Sequence, residues 1–404
     1  MGARLRAKWR IFIGRWNRPN RIPDMNFDFS EDQKALAAQA RRFLEAECPT
    51  TAVRAVLEGG LTHDAKLWQG IADMGFLGVV IPESHGGLGL SHLDLCVIAE
   101  ELGRSVAAVP FSSSVFLATE FLLTAGSPEQ QARWLPQLAS GKAIGTFAYA
   151  ECSGPLTPGS IQLKAQGKGP AVRLSGSRTA VADGSIADFA VVAVRTSPGQ
   201  DASGISLCLV EFNAQGVSRE SVQTIDPTRG HARLVFNDVS AELLGARGEG
   251  GSILRRVFDR AAVLTAFEQI GGADRALEMA RDYAMDRMAF GRPIGSFQAI
   301  KHMLADMYVS AALGRSNAYY GAWALASGSP ELGVAAAGAR VSATQAYQHC
   351  SRNNIQVHGG VGFTWAYDCH LYYRRANLLA AHLGSLSQWE DALIERMVER
   401  RAIA

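Results

Sequence analysis

From Phe29 onward, apolar side chains recur every three or four positions. Leu36, Ala40, Phe43 and Leu44 share one face of "FSEDQKALAAQARRFLEAECP", the spacing of an amphipathic helix. Ser30, three places before Gln33, supplies a capping box at its start, and Pro49 stops it. "LWQGIADMGFLGVV" and "LDLCVIAEELGRSVAAV" continue the helical pattern on either side of the glycine-rich "PESHGGLGL". Between about residues 144 and 245 the period shortens: "AVRLSG", "FAVVAVRT", "ISLCLVEF" and "ARLVFNDV" are short, rich in Val, Leu, Ile and Phe, and separated by turn residues, which predicts a small β domain. After Gly251 long helical runs return. "ILRRVFDRAAVLTAFEQIGGADRALEMARDYAMDRM" is the longest, and three more follow, the last from Tyr372; four such helices with short connections predict an antiparallel bundle.

Composition narrows what this α, β, α order can be. With 404 residues, 48% hydrophobic and 19% charged, the chain can bury two or three cores. No apolar run approaches the roughly 18 residues that span a bilayer. The six cysteines, Cys48, Cys96, Cys152, Cys208, Cys350 and Cys369, form no CxxC pair, which argues against a metal site and a disulfide framework and fits a cytoplasmic location. The formal charge of +2 makes no electrostatic case for nucleic acid. It conceals an asymmetry: residues 1–24 hold seven basic groups and only Asp24, 7 − 1 = +6, leaving 2 − 6 = −4 for the rest. Such a leader resembles a transit peptide or a basic arm. The plainer expectation, which we take, is a poorly ordered upstream extension before Met25.

Two segments concentrate groups suited to an anionic ligand. Arg287 ends a predicted helix just before Phe290, Gly291 and Pro293, placing a forked cation beside a chain break, where it suits a pyrophosphate. Gln298 follows in the first turn of the next helix. Gln356 precedes Gly359 and Gly360, where missing side chains permit close backbone approach. His358 and His302 read as structural.

"RMAFGRPIGSFQAIKHMLADM" (287–307) and "NIQVHGGVGFTWAYDCHLYYRRA" (354–376) closely resemble the two C-terminal signatures of the acyl-CoA dehydrogenase family, and "FSEDQKAL" and "PESHGGLGL...AEELG" resemble its opening domain. The resemblance runs from Met25 to about Met397 and implies an α+β fold: an N-terminal all-α domain (25–143), a middle β-barrel-like domain (144–245) and a C-terminal four-helix bundle (246–404). It implies FAD held by Arg287, Phe290, Gln298, Gln356, Gly359 and Gly360, with the arginine and glutamines reaching the dinucleotide of a neighbouring subunit, hence a dimer or tetramer. It also implies an acyl-CoA substrate converted to a trans-2-enoyl-CoA, and an electron-transfer flavoprotein as acceptor.

The departures from the family are as informative as the matches. Where it has a "TEPGAGSD"-like loop and a "WITNG"-like strand against the flavin, this chain has "YAECSGP" and "TAVADG": Glu151, Asp183 and Gly184 survive, while Ala150, Ala180 and Ala182 replace the hydroxyl and aromatic groups. Aligning on Gly384 puts Leu383 at the family's usual catalytic glutamate, and the alternative position on the first bundle helix is Ala261. Asp259 is turned off that face. Glu268, seven residues from Ala261 and about 10 Å along the axis, returns to it in an apolar stretch and is the candidate base, a salt bridge being its plainer role. Leu383 keeps its backbone N–H for the thioester carbonyl, with His382 expected to point elsewhere.

Three explanations of the missing base follow: a dehydrogenase with a relocated base, a base-lacking subunit whose unlike partner supplies the glutamate, or a non-dehydrogenase acyl-CoA-binding relative. The degenerate "TAVADG" and "DPTRG" resemble bacterial members acting on steroid side-chain CoA esters. The small residues at 150, 180, 182 and 261 permit a bulky acyl chain or ring.

Overall fold

The computed structural model describes residues 29–403 apart from 152, 153, 155 and 168, so the basic extension expected at 1–24 lies outside the described residues. Six helices open the described chain: α1 (Glu31–Glu47), α2 (Thr50–Gly59), α3 (Ala65–Asp73), α4 (His92–Arg104), α5 (Glu120–Ala125) and α6 (Pro128–Ala139). The capping box of α1 forms as its sequence requires: the Gln33 N–H donates to Ser30 Oγ at 3.2 Å, and Gln33 Oε1 accepts from the Ser30 N–H at 3.0 Å. Ala40 and Leu44 point inward from this helix and Leu36 and Phe43 pack at the margin of the core. Between α4 and α5, Ser112–Thr119 is wound as a π-helix and is buried throughout. Such wide turns are rare and recur at functional sites.

Among the described residues, the middle of the chain forms one sheet of seven strands: β1 (Gly145–Ala148), β2 (Ala165–Gln166), β3 (Ala171–Ala182), β4 (Phe189–Arg195), β5 (Ile205–Glu211), β6 (Val217–Val222) and β7 (His231–Leu244). Its order is β1-β4-β5-β7-β3-β2, with β6 also on β7; β1 runs parallel to β4 and the remaining pairs are antiparallel. The sheet curls back on itself, because Lys164, just before β2, bridges Arg195 of β4. Every residue of β4 is buried, as expected of an unbroken "FAVVAVR" run covered on both faces. β3 carries an irregularity between Arg178 and Val181 that leaves Ala180 at φ 49°. Bulges of this kind re-aim a strand end, here toward the cavity described below.

The C-terminal part is built on α7 (Gly250–Asp286), whose 37 residues extend about 55 Å. It is buried all round from Ala261 to Ala273, so it is the central helix of the molecule. A small hairpin, β8 (Met288–Ala289) and β9 (Arg292–Pro293), leads to α8 (Gln298–Ala326), α9 (Leu332–His358), α10 (Cys369–Ala381) and α11 (Leu386–Ile403). The run expected to be one final helix is therefore two. Leu383 at φ 62° and Gly384 at φ 104° have left-handed backbones that no helix can pass through.

The N-terminal helices are locked to α7 by backbone contact. A Cβ on Gly103 of α4 would lie 1.8 Å from the Glu268 carbonyl oxygen, and one on Gly271 of α7 would lie 1.9 Å from the Glu100 carbonyl oxygen. Reciprocal glycines let two helices approach more closely than any side chain permits. Gly103→Ala should therefore lower stability by about 1–3 kcal/mol or more through overpacking, despite the better helix propensity of alanine; a thermal unfolding midpoint equal to or above the parent's would show that the contact can relax.

Candidate active site

A cavity of about 1160 Å³ opens where the β domain meets the C-terminal helices. Its volume is at the upper end for small-molecule sites. One wall is apolar, from Leu117, Phe147, Tyr149 and Phe258; a second is the end of β3, Thr179 to Asp183; the third is the turn between α10 and α11, His382 to Ser385, with Gln388, Asp391 and Glu395 from α11. Ala150, Ala180 and Ala182 all line it. The small side chains noted in the sequence thus lie on one cavity, and Ala261 does not contribute.

Behind this cavity lies a buried network of charges contributed by three parts of the chain. Arg229, on the cavity wall and 4% exposed, donates from Nη1 to Ser112 Oγ at 2.8 Å and from Nη2 to Glu268 Oε1 at 2.6 Å. Arg375 of α10 donates from Nε to Asp226 Oδ2 at 2.6 Å and lies 3.7 Å from Glu268 Oε1. "DPTRG" is therefore a charged junction: Asp226 accepts from Thr228 and Arg375, and Arg229 reaches both the N-terminal part and α7.

The candidate base must be placed in this context. Glu268 is buried, as its apolar sequence neighbours suggest, but its surroundings in space are two guanidinium groups, and it is not on the cavity lining. Asp259 also lies off the cavity, paired with Arg396 at 2.7 Å, and burial pushes it up to about 6 against the pull of that arginine. The buried carboxylate that does line the cavity is Asp183. Its Oδ2 accepts from Ser113 Oγ at 2.5 Å and its Oδ1 has no partner among the described residues; burial raises its pKa, opposed by Arg229 and the Ser113 hydroxyl. Its survival in the "TAVADG" segment was visible in the sequence. Its exposure to the cavity was not, because that depends on the left-handed backbone at Ala180 and Asp183 itself, φ 54°. Asp391 and Glu395 line the cavity from exposed positions.

Leu383 faces the cavity from the turn after α10, and no described residue accepts a hydrogen bond from its N–H. Its carbonyl accepts from Trp389 Nε1 at 3.1 Å, which ties the turn to α11. His382 was expected to point away from the site; it lines the same cavity, because the chain here is a turn and not a helix. Its Nε2 is shielded from solvent without a partner among the described residues. Burial and the nearby Arg340, Arg229 and His231 push its pKa down to about 3, so the ring is neutral at physiological pH.

The residues expected to hold FAD are gathered elsewhere. Arg287 caps α7, Gln298 opens α8, Gln356 lies in the last turn of α9, and all three are exposed and carry no side-chain hydrogen bond among the described residues. Gly359, at φ 63°, and Gly360 have open space where a Cβ would be, and Phe290 is 95% exposed. Unpaired donors beside open glycine backbone suit a pyrophosphate, so the residue types fit the dinucleotide. None of the six lines the cavity of this chain. They share the bundle surface with exposed Tyr308, Val309, Leu313 and Phe363, an apolar exposure unusual for a free surface. Arg54 and Glu58 of α2 contact the loop that follows Gly360 through Asp368 and Trp365. His358 is buried and structural as expected, stacked on Tyr283 at 4.1 Å; His302, expected to pack, is exposed.

Comparison with known proteins gives a consistent answer. Residues 30–142 match the family model for the acyl-CoA dehydrogenase N-terminal domain and residues 248–390 that for its C-terminal domain. The chain is 34% identical over 348 residues to acyl-CoA dehydrogenase IpdE2 of Mycobacterium tuberculosis, covering 86% of this chain and 91% of that one. Among solved structures it resembles a chain of the ChsE4-ChsE5 complex from Mycobacterium tuberculosis, with a TM-score of 0.84 and 29% identity over 93% of this chain and 99% of that one. It also resembles a chain of a variant of the Tcur3481-Tcur3483 steroid ACAD, with a TM-score of 0.82 and 30% identity over 92% and 99%.

The depressed His382 pKa has a defined consequence for stability. A histidine that is harder to protonate when folded than when unfolded contributes stability above its unfolded value near 6.5, and that stability is lost as the pH falls from there toward about 3. His382→Gln should therefore flatten the loss of urea stability between pH 7 and pH 5; an unchanged slope would mean that the ring is protonated without cost in the fold.

Proposed function

Since the chain belongs to the acyl-CoA dehydrogenase family, an oxidoreductase family that uses FAD, we propose that it forms one half of a two-chain active site: it binds and polarises the thioester, and an unlike subunit supplies the carboxylate that removes the α proton. The reaction is the α,β-dehydrogenation of an acyl-CoA to a trans-2-enoyl-CoA. FAD, when bound, supplies the electron chemistry by accepting the β hydrogen as hydride. The observation that carries the two-chain reading is the pairing of Leu383 with Glu268. An aliphatic side chain faces the cavity at the usual base position, and the alternative carboxylate is held off the cavity by Arg229 and Arg375. Glu268 on this reading holds Arg229 in place and does not take up the proton.

Each remaining group has a defined task. The free N–H of Leu383 donates to the thioester carbonyl, which acidifies the α carbon by stabilising negative charge on oxygen. Apolar Leu117, Phe147 and Phe258 exclude water from the acyl group, and Ala150, Ala180 and Ala182 leave room for a branched or ring-bearing one. Arg287, Gln298, Gln356, Gly359 and Gly360, with Phe290 beside them, would hold a dinucleotide shared with a neighbouring subunit. The apolar surface around Tyr308 and Leu313 is then buried in the oligomer, a dimer or tetramer of like or unlike chains. The paired subunit names of the two similar structures, ChsE4-ChsE5 and Tcur3481-Tcur3483, support unlike chains. An electron-transfer flavoprotein is the fitting acceptor. No described helix is long and apolar enough to cross a membrane, and a cytoplasmic location suits the five described free cysteines.

A dye-coupled screen of acyl-CoA esters tests this. The chain alone should turn over at least about 10²-fold more slowly than the same chain purified with its unlike subunit, the usual worth of a positioned base. A homomer with full FAD and undiminished turnover would overturn the two-chain reading, and loss of that turnover in Asp183→Asn would assign the base to Asp183. Arg287→Ala should lower FAD content after gel filtration; unchanged flavin stoichiometry would remove Arg287 from the dinucleotide site.

A further inference from the structure

Arg340 is among the largest fully buried side chains of the protein, 1% exposed, on the face of α9 that meets α7 and α10. Its direct acceptors among the described residues are all uncharged. Nη1 donates to Gln269 Oε1 at 2.6 Å and to Thr344 Oγ1 at 3.1 Å, and Nη2 donates to the backbone carbonyls of Leu379 and, at 2.6 Å, His382. Burial pushes its pKa down to about 9, opposed from a distance by the Glu268 carboxylate. Taking a guanidinium out of water without a directly bonded carboxylate is costly. What offsets part of that cost here is the C-terminus of α10, whose last carbonyls carry the negative end of the helix dipole; the Leu379 carbonyl also accepts from the His382 N–H at 3.2 Å.

The carbonyls chosen are informative. The His382 C=O and the Leu383 N–H belong to one planar trans peptide and point in opposite directions. Arg340 does not line the cavity, whereas His382, Leu383 and Gly384 do. A guanidinium that holds the His382 carbonyl from the protein side therefore turns the Leu383 N–H to the cavity side. Leu383 also sits at φ 62°, a conformation that costs a branched residue roughly 1–2 kcal/mol and survives only where neighbours impose it. Two anchors impose it: Arg340 on the carbonyl before Leu383, and Trp389 Nε1 on the carbonyl of Leu383 itself.

We infer that Arg340 is a positioning residue for thioester polarisation: it fixes the peptide plane whose N–H meets the substrate carbonyl, without touching substrate or cofactor. The inference rests on the role proposed above for the Leu383 N–H. It also gives Gln269 and Thr344 a function, since they fix the guanidinium from its other side, with Gln269 Nε2 also donating to Thr344 Oγ1 at 3.1 Å.

The test is difference infrared spectroscopy of carbonyl-labelled octanoyl-CoA bound to the FAD-loaded protein, for the parent, Arg340→Met, Arg340→Lys and Thr344→Val. In the parent, the carbonyl stretch should move to lower frequency than in the free thioester. Arg340→Met should lose more than half of that shift with FAD content unchanged, and Arg340→Lys should recover most of it, because an ammonium still reaches a carbonyl. Thr344→Val, which removes one acceptor and leaves the fold's charges intact, should lose a smaller part, so the inference stays testable if Arg340→Met fails to fold. A full parental shift in Arg340→Met, or in both other variants where Arg340→Met is insoluble, would overturn the positioning role alone. Absence of any shift in the parent would overturn the Leu383 role and this one with it.

Discussion

The ion pair between Arg229 and Glu268 is the contact on which the site depends. Arg229 comes from the strand domain, Glu268 from the central helix α7, and Ser112, which Arg229 also contacts, from the π-helical segment of the N-terminal part. Three regions of the chain thus meet at one guanidinium 4% exposed to solvent. A buried pair of this kind adds little net stability, because desolvation consumes most of the attraction, but losing one partner leaves an uncompensated charge worth about 3–5 kcal/mol. Its value here is in register. With Arg375 and Asp226 alongside, the β domain, α7 and α10 are tied together through four charged groups beside the cavity.

The same contact explains why a carboxylate is present near the site without being available to it. A base needs a free lone pair aimed at the substrate; Glu268 lies off the cavity lining, with its Oε1 turned to Arg229 at 2.6 Å and Arg375 at 3.7 Å. The cavity face is left with Leu383, an N–H donor and no buried carboxylate except Asp183, which is tied to Ser113. On the proposed reading, polarisation stays with the Leu383 N–H and deprotonation passes to a second chain, a division that fits an aliphatic side chain on the cavity beside a backbone N–H with no acceptor among the described residues.

Most of the architecture could be read from the sequence because it follows from local rules. Ser30 and Gln33 cap a helix whatever surrounds them, and "FAVVAVR" has the pattern of a strand buried on both faces. The break near Leu383 has a local mark, Gly384 followed by Ser385 and Gln388 at the same capping-box spacing as Ser30 and Gln33; the apolar spacing that runs on through "AAHLGSLSQW" masks it, and the left-handed leucine itself has no local signature. The fate of Glu268 could not be read: its sequence neighbours are apolar, and its partner Arg229 lies 39 positions away. The groups proposed to hold the dinucleotide were recognisable as residue types. Their separation from the cavity of their own chain became visible only when α7, α8 and α9 were placed together.

Exchange of the acyl α hydrogen with deuterated water tests the division of labour most directly, because it reports on the base and requires no electron transfer. Octanoyl-CoA incubated with the FAD-loaded chain alone should retain its α hydrogens, and addition of the unlike subunit should start their exchange. Exchange catalysed by the isolated chain at the rate of the complex would contradict the account, since it would mean that a carboxylate of this chain reaches the α carbon after all.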